Sequence, residues 1–233
     1  MDASGKHIAI LVDNYFEQSE FDEPLSAMKD AGAEVTVIST KEKELHGMNH
    51  AKIADKFIAD LLLEQAESED YDALIIPGGA INADKLRMNE TAQAWANDFL
   101  NSGRPLAIIC HSPWLLISAD CIEGRKVTSY YTIQDDILNA GGEWVDLEVV
   151  LDGNLITSRG PDDLPKFIET ILKKLAIKSE AASGTFIDSP YTGSEQNMDE
   201  ELKLKTLGYK ESADQLRKKD KEDLVDDDLL ENE

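Results

Sequence analysis

The chain has 233 residues, 42% hydrophobic and 30% charged, with a net charge of −24 and a pI near 4.4. That length fits one sizeable domain plus an appendage, and the acidity opposes a nucleic-acid groove or an anionic membrane surface. No apolar run reaches the ~18 residues of a membrane span, and the opening MDASGKHIAILVD lacks a signal peptide's cleavage region, so a soluble cytoplasmic protein is expected.

HIAILVD (7–13) is a continuous apolar run, the pattern of a strand buried on both faces. Glu20 to Ala31 reads as a helix with Phe21, Leu25 and Met28 on one face and Gly32 as its stop. AEVTVIST (33–40) is β-branched and strand-like, so the opening strand–helix–strand unit predicts a parallel sheet. The spacing predicts a helix over Ile53 to Gln65, then a strand in YDALIIPGG (71–79) and a helix over Thr91 to Ser102 capped by Gly103. PLAIIC (105–110) is again a strand, and Pro113 to Ala119 begins a helix. RKVTSY (125–130) reads as strand, Ile133 to Ala140 as helix, and 144–160 as a hairpin turning at Asp152-Gly153. LPKFIETILKKLA (164–176) closes an α/β domain: a doubly wound, mostly parallel sheet with helices on both faces, complete by about residue 177.

Residues 178–233 hold few apolar side chains, 16 acidic and 8 basic ones, for a net charge of −8. Short helices are expected at 198–207 and 212–225, in an acidic extension that cannot bury a core by itself and is expected to be docked or disordered.

Two cysteines, Cys110 and Cys121, give no disulfide framework and no paired-cysteine zinc motif. His46 and His50 have metal-ligand spacing, but Gly47 and Asn49 between them argue for a loop and against a metal. In doubly wound sheets ligands bind beyond the carboxyl ends of the strands, and Cys110 falls on such an end just before a helix start at Pro113. That is the strand–turn–helix setting of a nucleophile elbow, in which a helix's positive end and a hydrogen-bonding acid or imidazole lower a thiol pKa from about 8.5. The alternative is a buried, inert core cysteine, and the local sequence leaves both readings open. Cys121, with no imidazole or turn chemistry beside it, reads as structural.

Three further stretches belong to the same edge. PGGA (77–80) follows a strand, and Gly78 and Gly79 there would let backbone N–H groups approach an oxyanion; a simple tight turn is the other reading. Glu17 and Glu20 stand at the exit of the first strand, as sulfur partners or as ordinary helix-start charges. Asp84 is a candidate to orient an imidazole, or a solvated loop aspartate, while Tyr130 and Tyr131 are pocket walls or aromatic packing.

FEQSEFDEP, IIPGGAINADKLR, AIICHSPWLLISA, GRKVTSYYTIQDDILNAGGEWVD and DGNLITSRGPDDLP together resemble the DJ-1/PfpI family, in its PfpI-like branch, over roughly residues 6–177. The resemblance implies a flavodoxin-like fold, Cys110 as nucleophile, His111 as its imidazole and Glu20 as the glutamate that bonds the thiol. It also implies an oxyanion site at Gly79 with the His111 amide. Asp84 would act across an interface of a homo-oligomer, a dimer or hexamer, and no metal or nucleotide cofactor is implied. Ser112 departs from the family's usual glycine, Tyr131 from its common proline, and the acidic extension has no counterpart in compact members. Ser112 is expected to narrow the pocket or add a donor. The implied activity is glyoxalase III- or deglycase-like chemistry on small reactive carbonyls or glycated adducts. An intracellular cysteine peptidase and a redox sensor or stress holdase are the rivals.

Overall fold

The computed structural model describes residues 1–182. β1 (His7–Val12) and a short β2 (Phe16–Glu17) lead into α1 (Gln18–Asp30), and β3 (Glu34–Ser39) follows. Next come β4 (Glu44–Asn49), β5 (Lys52–Ile58), β6 (Leu61–Leu62) and β7 (Ala73–Ile76). Helices α2 (Ala80–Arg87) and α3 (Glu90–Ser102) precede β8 (Leu106–Ile109), a five-residue α4 (Trp114–Ser118) and β9 (Lys126–Val127). The remainder is α5 (Gln134–Asn139), β10 (Glu143–Trp144), β11 (Val149–Asp152), β12 (Leu155–Ser158) and α6 (Leu164–Ala182).

Seven strands form one sheet in the order β11-β12-β8-β7-β1-β3-β6, parallel throughout except for the β11–β12 pair. The period of two in each strand divides the core between the two faces of the sheet. Ala9, Leu11, Leu74, Ile76, Leu106 and Ile108 join Trp95 and Phe99 on one side. Ile8, Ile10, Val12, Ala73, Ile75, Ala107 and Ile109 join Phe16, Phe21, Met28 and Phe167 on the other. Both faces being covered is what makes these strands read as unbroken apolar runs. From β1 the chain moves outward to β3, then returns to the other side of β1 at β7, so the direction of winding reverses between β1 and β7. The segments following β1, β7 and β8 therefore meet at the edge where ligands bind in such sheets.

The expected helix over 53–65 is instead β5, β6 and a single 3-10 turn at Leu63–Gln65. Ile53, Phe57 and Leu61 stand four apart, which suits a helix, but long-range pairing decides the outcome. β5 pairs antiparallel with β4, and Phe57 packs against Phe16 and Phe21 with ring centroids 5.4 and 5.1 Å apart. Leu61 and Leu62 pair with Ile38 and Ser39. His46 consequently lies on a strand rather than in a loop, with the register shifting around Gly47, and His50 occupies the β4–β5 turn with φ 53°.

The 144–160 hairpin is shorter than expected. Asp152 pairs with Leu155, so the turn is Gly153-Asn154, one residue later, and Asn154 Nδ2 donates to the carbonyls of Phe99 and Arg104. Trp144 belongs to a separate two-stranded piece with β9, which itself spans only 126–127 of the expected 125–130 strand. α6 continues to Ala182, past the expected helix end at 176. The expected short helices at 198–207 and 212–225 lie outside the described residues. Among the described residues, no helix is long and apolar enough to cross a membrane.

Candidate active site

Cys110 sits immediately after β8 with φ 64°, a left-handed conformation costly for a residue with a Cβ and met where a site holds backbone strain. The chain on both sides fixes it: its N–H donates to the Ser158 carbonyl at 3.0 Å and its carbonyl accepts from Tyr130 N–H at 2.9 Å. The side chain is only 7% exposed. His111 Nδ1 lies 3.2 Å from the sulfur, and the backbone amides of Gly79 and His111 both point at it.

Glu20, in the first turn of α1, is fully buried and hydrogen-bonded to the same sulfur. Its Oε2 accepts from the Gly78 amide at 2.8 Å. Its Oε1 has no hydrogen-bond partner among the described residues, and the contact with the sulfur lowers the carboxyl pKa and raises the thiol's, the sense of a thiol donating to a carboxylate. Gly78 is what allows this approach: a Cβ there would stand 2.4 Å from both Cys110 Cβ and Glu20 Oε2. Gly79, with φ 93°, is held against the β2 chain, where a Cβ would meet the Glu17 nitrogen at 2.7 Å.

Burial pushes the Glu20 carboxyl up to about 8, above what the Gly78 amide can offset, and the nearby Glu17 charge adds to it. Burial also pushes the Cys110 thiol well above its ordinary value, an ionised Glu20 would push it further, and the Gly79 and His111 amides act the other way. The expected lowering by a helix terminus is thus reversed. α4 has only five residues, too few for a sizeable dipole, and desolvation exceeds it. Burial lowers the His111 pKa below 6.5, so the imidazole is neutral at pH 7. Cys110 and Glu20 then behave as one coupled pair: the first proton lost leaves either a carboxylate beside a thiol or a thiolate beside a protonated donor.

The other expected residues are placed unequally. Tyr130 stacks on His111 at 4.8 Å with 29° between the planes, and Tyr131 lies 4.7 Å from Tyr130. Glu17 is buried next to Glu20, but its Oε2 accepts from the His50 amide at 3.0 Å and not from the sulfur's neighbours. Asp84 is exposed on α2, and among the described residues the polar contact of His111 Nε2 is Thr132 Oγ1 at 3.1 Å. Ser112 neither narrows the pocket nor offers a donor to it; fully buried, it donates to the Pro77 carbonyl at 2.5 Å.

Sequence reasoning missed Thr132 and Asn82. Asn82 Nδ2 donates to the carbonyls of Pro77 and Gly78 at 2.8 and 3.0 Å, and its Oδ1 accepts from the Asp13 amide at 2.6 Å. One buried amide therefore ties the end of β1 to the Gly78-Gly79 loop, while Ser112 ties that loop to the elbow. Asn82 stood in a stretch read as loop between the strand at 71–79 and the helix from Thr91, which folds instead as α2. Cys121 is half-buried, bonds the Leu116 carbonyl and takes no part in this constellation. Among the described residues no group of three His, Cys, Asp or Glu side chains is arranged to hold a metal.

A family model described as DJ-1/PfpI family matches residues 6–174. Protein/nucleic acid deglycase 2 of Escherichia coli is 42% identical over 172 residues, 73% of this chain and 98% of that protein. Deglycase PfpI of Pyrococcus furiosus is 39% identical over 168 residues, 72% of this chain and 98% of that one. The crystal structure of a ThiJ/PfpI domain protein from Brachyspira murdochii superposes with a TM-score of 0.69 at 22% identity, covering 75% of this chain and 98% of that one, which speaks to the fold. With a family match over most of its length and two relatives near 40% identity, the chain belongs to the DJ-1/PfpI family.

Proposed function

We propose that the chain is a cysteine-dependent, deglycase-type enzyme whose Cys110 adds to the carbonyl carbon of small reactive aldehydes and of the adducts they form with amines. The observation that carries this reading is the Cys110 Sγ–His111 Nδ1 contact at 3.2 Å beside a carboxyl that burial keeps protonated. The deglycase names of its relatives support the substrate class.

At neutral pH Glu20 carries its proton and His111 is neutral. As the sulfur bonds to the carbonyl carbon, its proton passes to His111 Nδ1 and the C=O π pair moves to oxygen, stabilised by the Gly79 and His111 amides. His111 returns the proton to that oxygen, so the net step adds S–H across C=O and gives a hemithioacetal. For an α-oxoaldehyde, moving the C1 hydrogen as a proton to C2 and the C1 hydroxyl proton to the C2 oxygen converts this adduct to the thioester of a 2-hydroxy acid. Water then cleaves the thioester and frees the thiol. A carbinolamine enters the same route once its C–N bond breaks, its hydroxyl proton moving to nitrogen as the amine leaves. Once the sulfur has lost its proton, a protonated Glu20 would donate to it and favour the thiolate as leaving or attacking group.

Loss of methylglyoxal and of a methylglyoxal–N-acetylarginine adduct, measured for wild type and Cys110→Ala beside a fluorogenic peptide, tests the reading. Turnover of the carbonyl substrates that vanishes in the variant, with its thermal midpoint kept, is expected. Full activity in Cys110→Ala, or cleavage of the peptide alone, would overturn it.

A further inference from the structure

Both ring nitrogens of His111 have partners inside one chain. Nδ1 faces Cys110 Sγ at 3.2 Å, and Nε2 faces the Thr132 hydroxyl at 3.1 Å. The ring is held between Tyr130, stacked at 4.8 Å, and Trp114, tilted at 5.5 Å, so it cannot swing to another partner without breaking both contacts. Thr132 is fixed from below. It lies in the 3-10 turn Tyr131–Ile133, whose Ile133 is buried in the core and whose approach is pinned by the Tyr130 N–H to Cys110 carbonyl bond. The turn that follows the elbow's own hydrogen bond thus delivers a hydroxyl to the far side of the elbow's imidazole.

We propose that Thr132 is the positioning residue of His111, and that its hydroxyl lets the imidazole relay the Cys110 proton to solvent by exchanging tautomers. The inference rests on the cysteine chemistry proposed above. A neutral imidazole carries one proton. With that proton on Nε2, the ring donates to Thr132 Oγ1 and its Nδ1 lone pair is free to take the thiol proton. Once Nδ1 has been protonated, Nε2 releases its proton to the hydroxyl, and the hydroxyl's own proton leaves to water, since Thr132 is exposed. The ring is then neutral again, with Nδ1–H donating to the thiolate and Nε2 accepting from the hydroxyl. Each bond to hydrogen that forms is matched by one that breaks, and one proton has moved from sulfur to solvent.

A carboxylate in the same place would act differently. It only accepts, so it would hold the proton on Nε2 and raise the imidazole pKa towards a thiolate–imidazolium pair. Among the described residues His111 makes no ion pair. The titratable and charged groups on the elements packed round it are Cys110 itself, Glu20 behind the sulfur, the Tyr130 and Tyr131 phenols, Asp84 and Lys85 on α2, Asp135 on α5, and two groups that meet Trp114. These are Asp136, which accepts from Trp114 Nε1 at 2.7 Å, and Arg87, 5.4 Å over that ring. The burial that lowers the imidazole pKa suits a hydroxyl partner, which asks for no charge on the ring.

The test is nitrogen-15 NMR of the His111 ring across pH, with the pH profile of kcat/KM, in wild type, Thr132→Val, Thr132→Ser and Asp84→Asn. In wild type both tautomers should be populated, with titration below pH 6.5. Thr132→Val should skew the tautomer ratio and lower kcat by about tenfold to a hundredfold at similar KM, the range for a misplaced catalytic group. Thr132→Ser should restore both readouts to within about threefold. An unchanged ring spectrum and kcat in Thr132→Val would overturn the proposal. So would a ring that responds to Asp84→Asn and not to Thr132→Val, which would assign Nε2 to a second copy of the chain. If wild type turned over no carbonyl substrate, the cysteine chemistry would fail while the spectra still reported on the Thr132 contact.

Discussion

The Gly78 amide donates to Glu20 Oε2 at 2.8 Å, and that single bond holds a fully buried carboxyl against Cys110. It is weaker than the burial it opposes, so Glu20 keeps its proton to about pH 8. An unfolded glutamate titrates near 4.5. Between these values the folded chain binds one proton more than the unfolded chain, so this group's contribution is fully present below the unfolded value and is lost as pH rises, at about 1.4 kcal/mol per pH unit. Glu20→Gln cannot ionise. Its thermal midpoint should therefore gain on wild type steadily from pH 5 to 8, as calorimetry would read. A constant difference would mean that Glu20 is already ionised in the folded protein.

Gly78→Ala should be far more damaging than an average surface change. Its Cβ would stand 2.4 Å from Cys110 Cβ and Glu20 Oε2, and the Ile109 carbonyl, 3.0 Å away, closes the other side. Overpacking of this kind costs roughly 1–3 kcal/mol, and displacing either reactive group costs about a hundredfold in rate. Urea denaturation and kcat/KM on methylglyoxal would register both losses.

Asn82→Ala should cost about 3 kcal/mol, since it strips one buried donor from two carbonyls and one acceptor from the Asp13 amide. Ser112→Ala removes only one of the two donors to the Pro77 carbonyl and should cost about 1 kcal/mol. Chemical denaturation of the two variants side by side gives the order. Equal costs would contradict the shared-carbonyl account.

The acid limb of kcat/KM should fall tenfold per pH unit below the His111 pKa, which burial places under 6.5. Sign and cause agree: desolvation disfavours the imidazolium, so the base stays competent to lower pH than a free histidine. An acid limb midpoint above 7 would point to a carboxylate on the ring.

A chain ending after Ala182 should retain the kcat of the full chain, because every residue of the constellation falls between Asp13 and Ser158 and the family match ends at residue 174. Steady-state kinetics of the two forms decides this.

Much of the site was legible because its parts lie at strand ends, where sequence marks them plainly. Cys110 ends an apolar run, Gly78 and Gly79 end another, and Glu20 follows the first strand. What failed needed contacts far apart in the chain. β5 looked helical because Ile53, Phe57 and Leu61 share a four-residue spacing, and only its pairing with β4 shows otherwise. Thr132 meets His111 across 21 residues, and no local pattern marks a hydroxyl that will face a ring nitrogen. Ser112 was identified as unusual, but which way its hydroxyl points depends on the Pro77 carbonyl, 35 residues away. The thiol's pKa was misjudged because the short α4 and the depth of burial are properties of the folded chain.

The rate of Cys110 alkylation by iodoacetamide between pH 5 and 10, in wild type and Glu20→Gln, tests most directly whether the sulfur and Glu20 share a proton. A rate that climbs with pH to a midpoint above that of an ordinary thiol, and that moves when Glu20 becomes Gln, is the predicted result. A rate already at its plateau by pH 6 and identical in both proteins would contradict it.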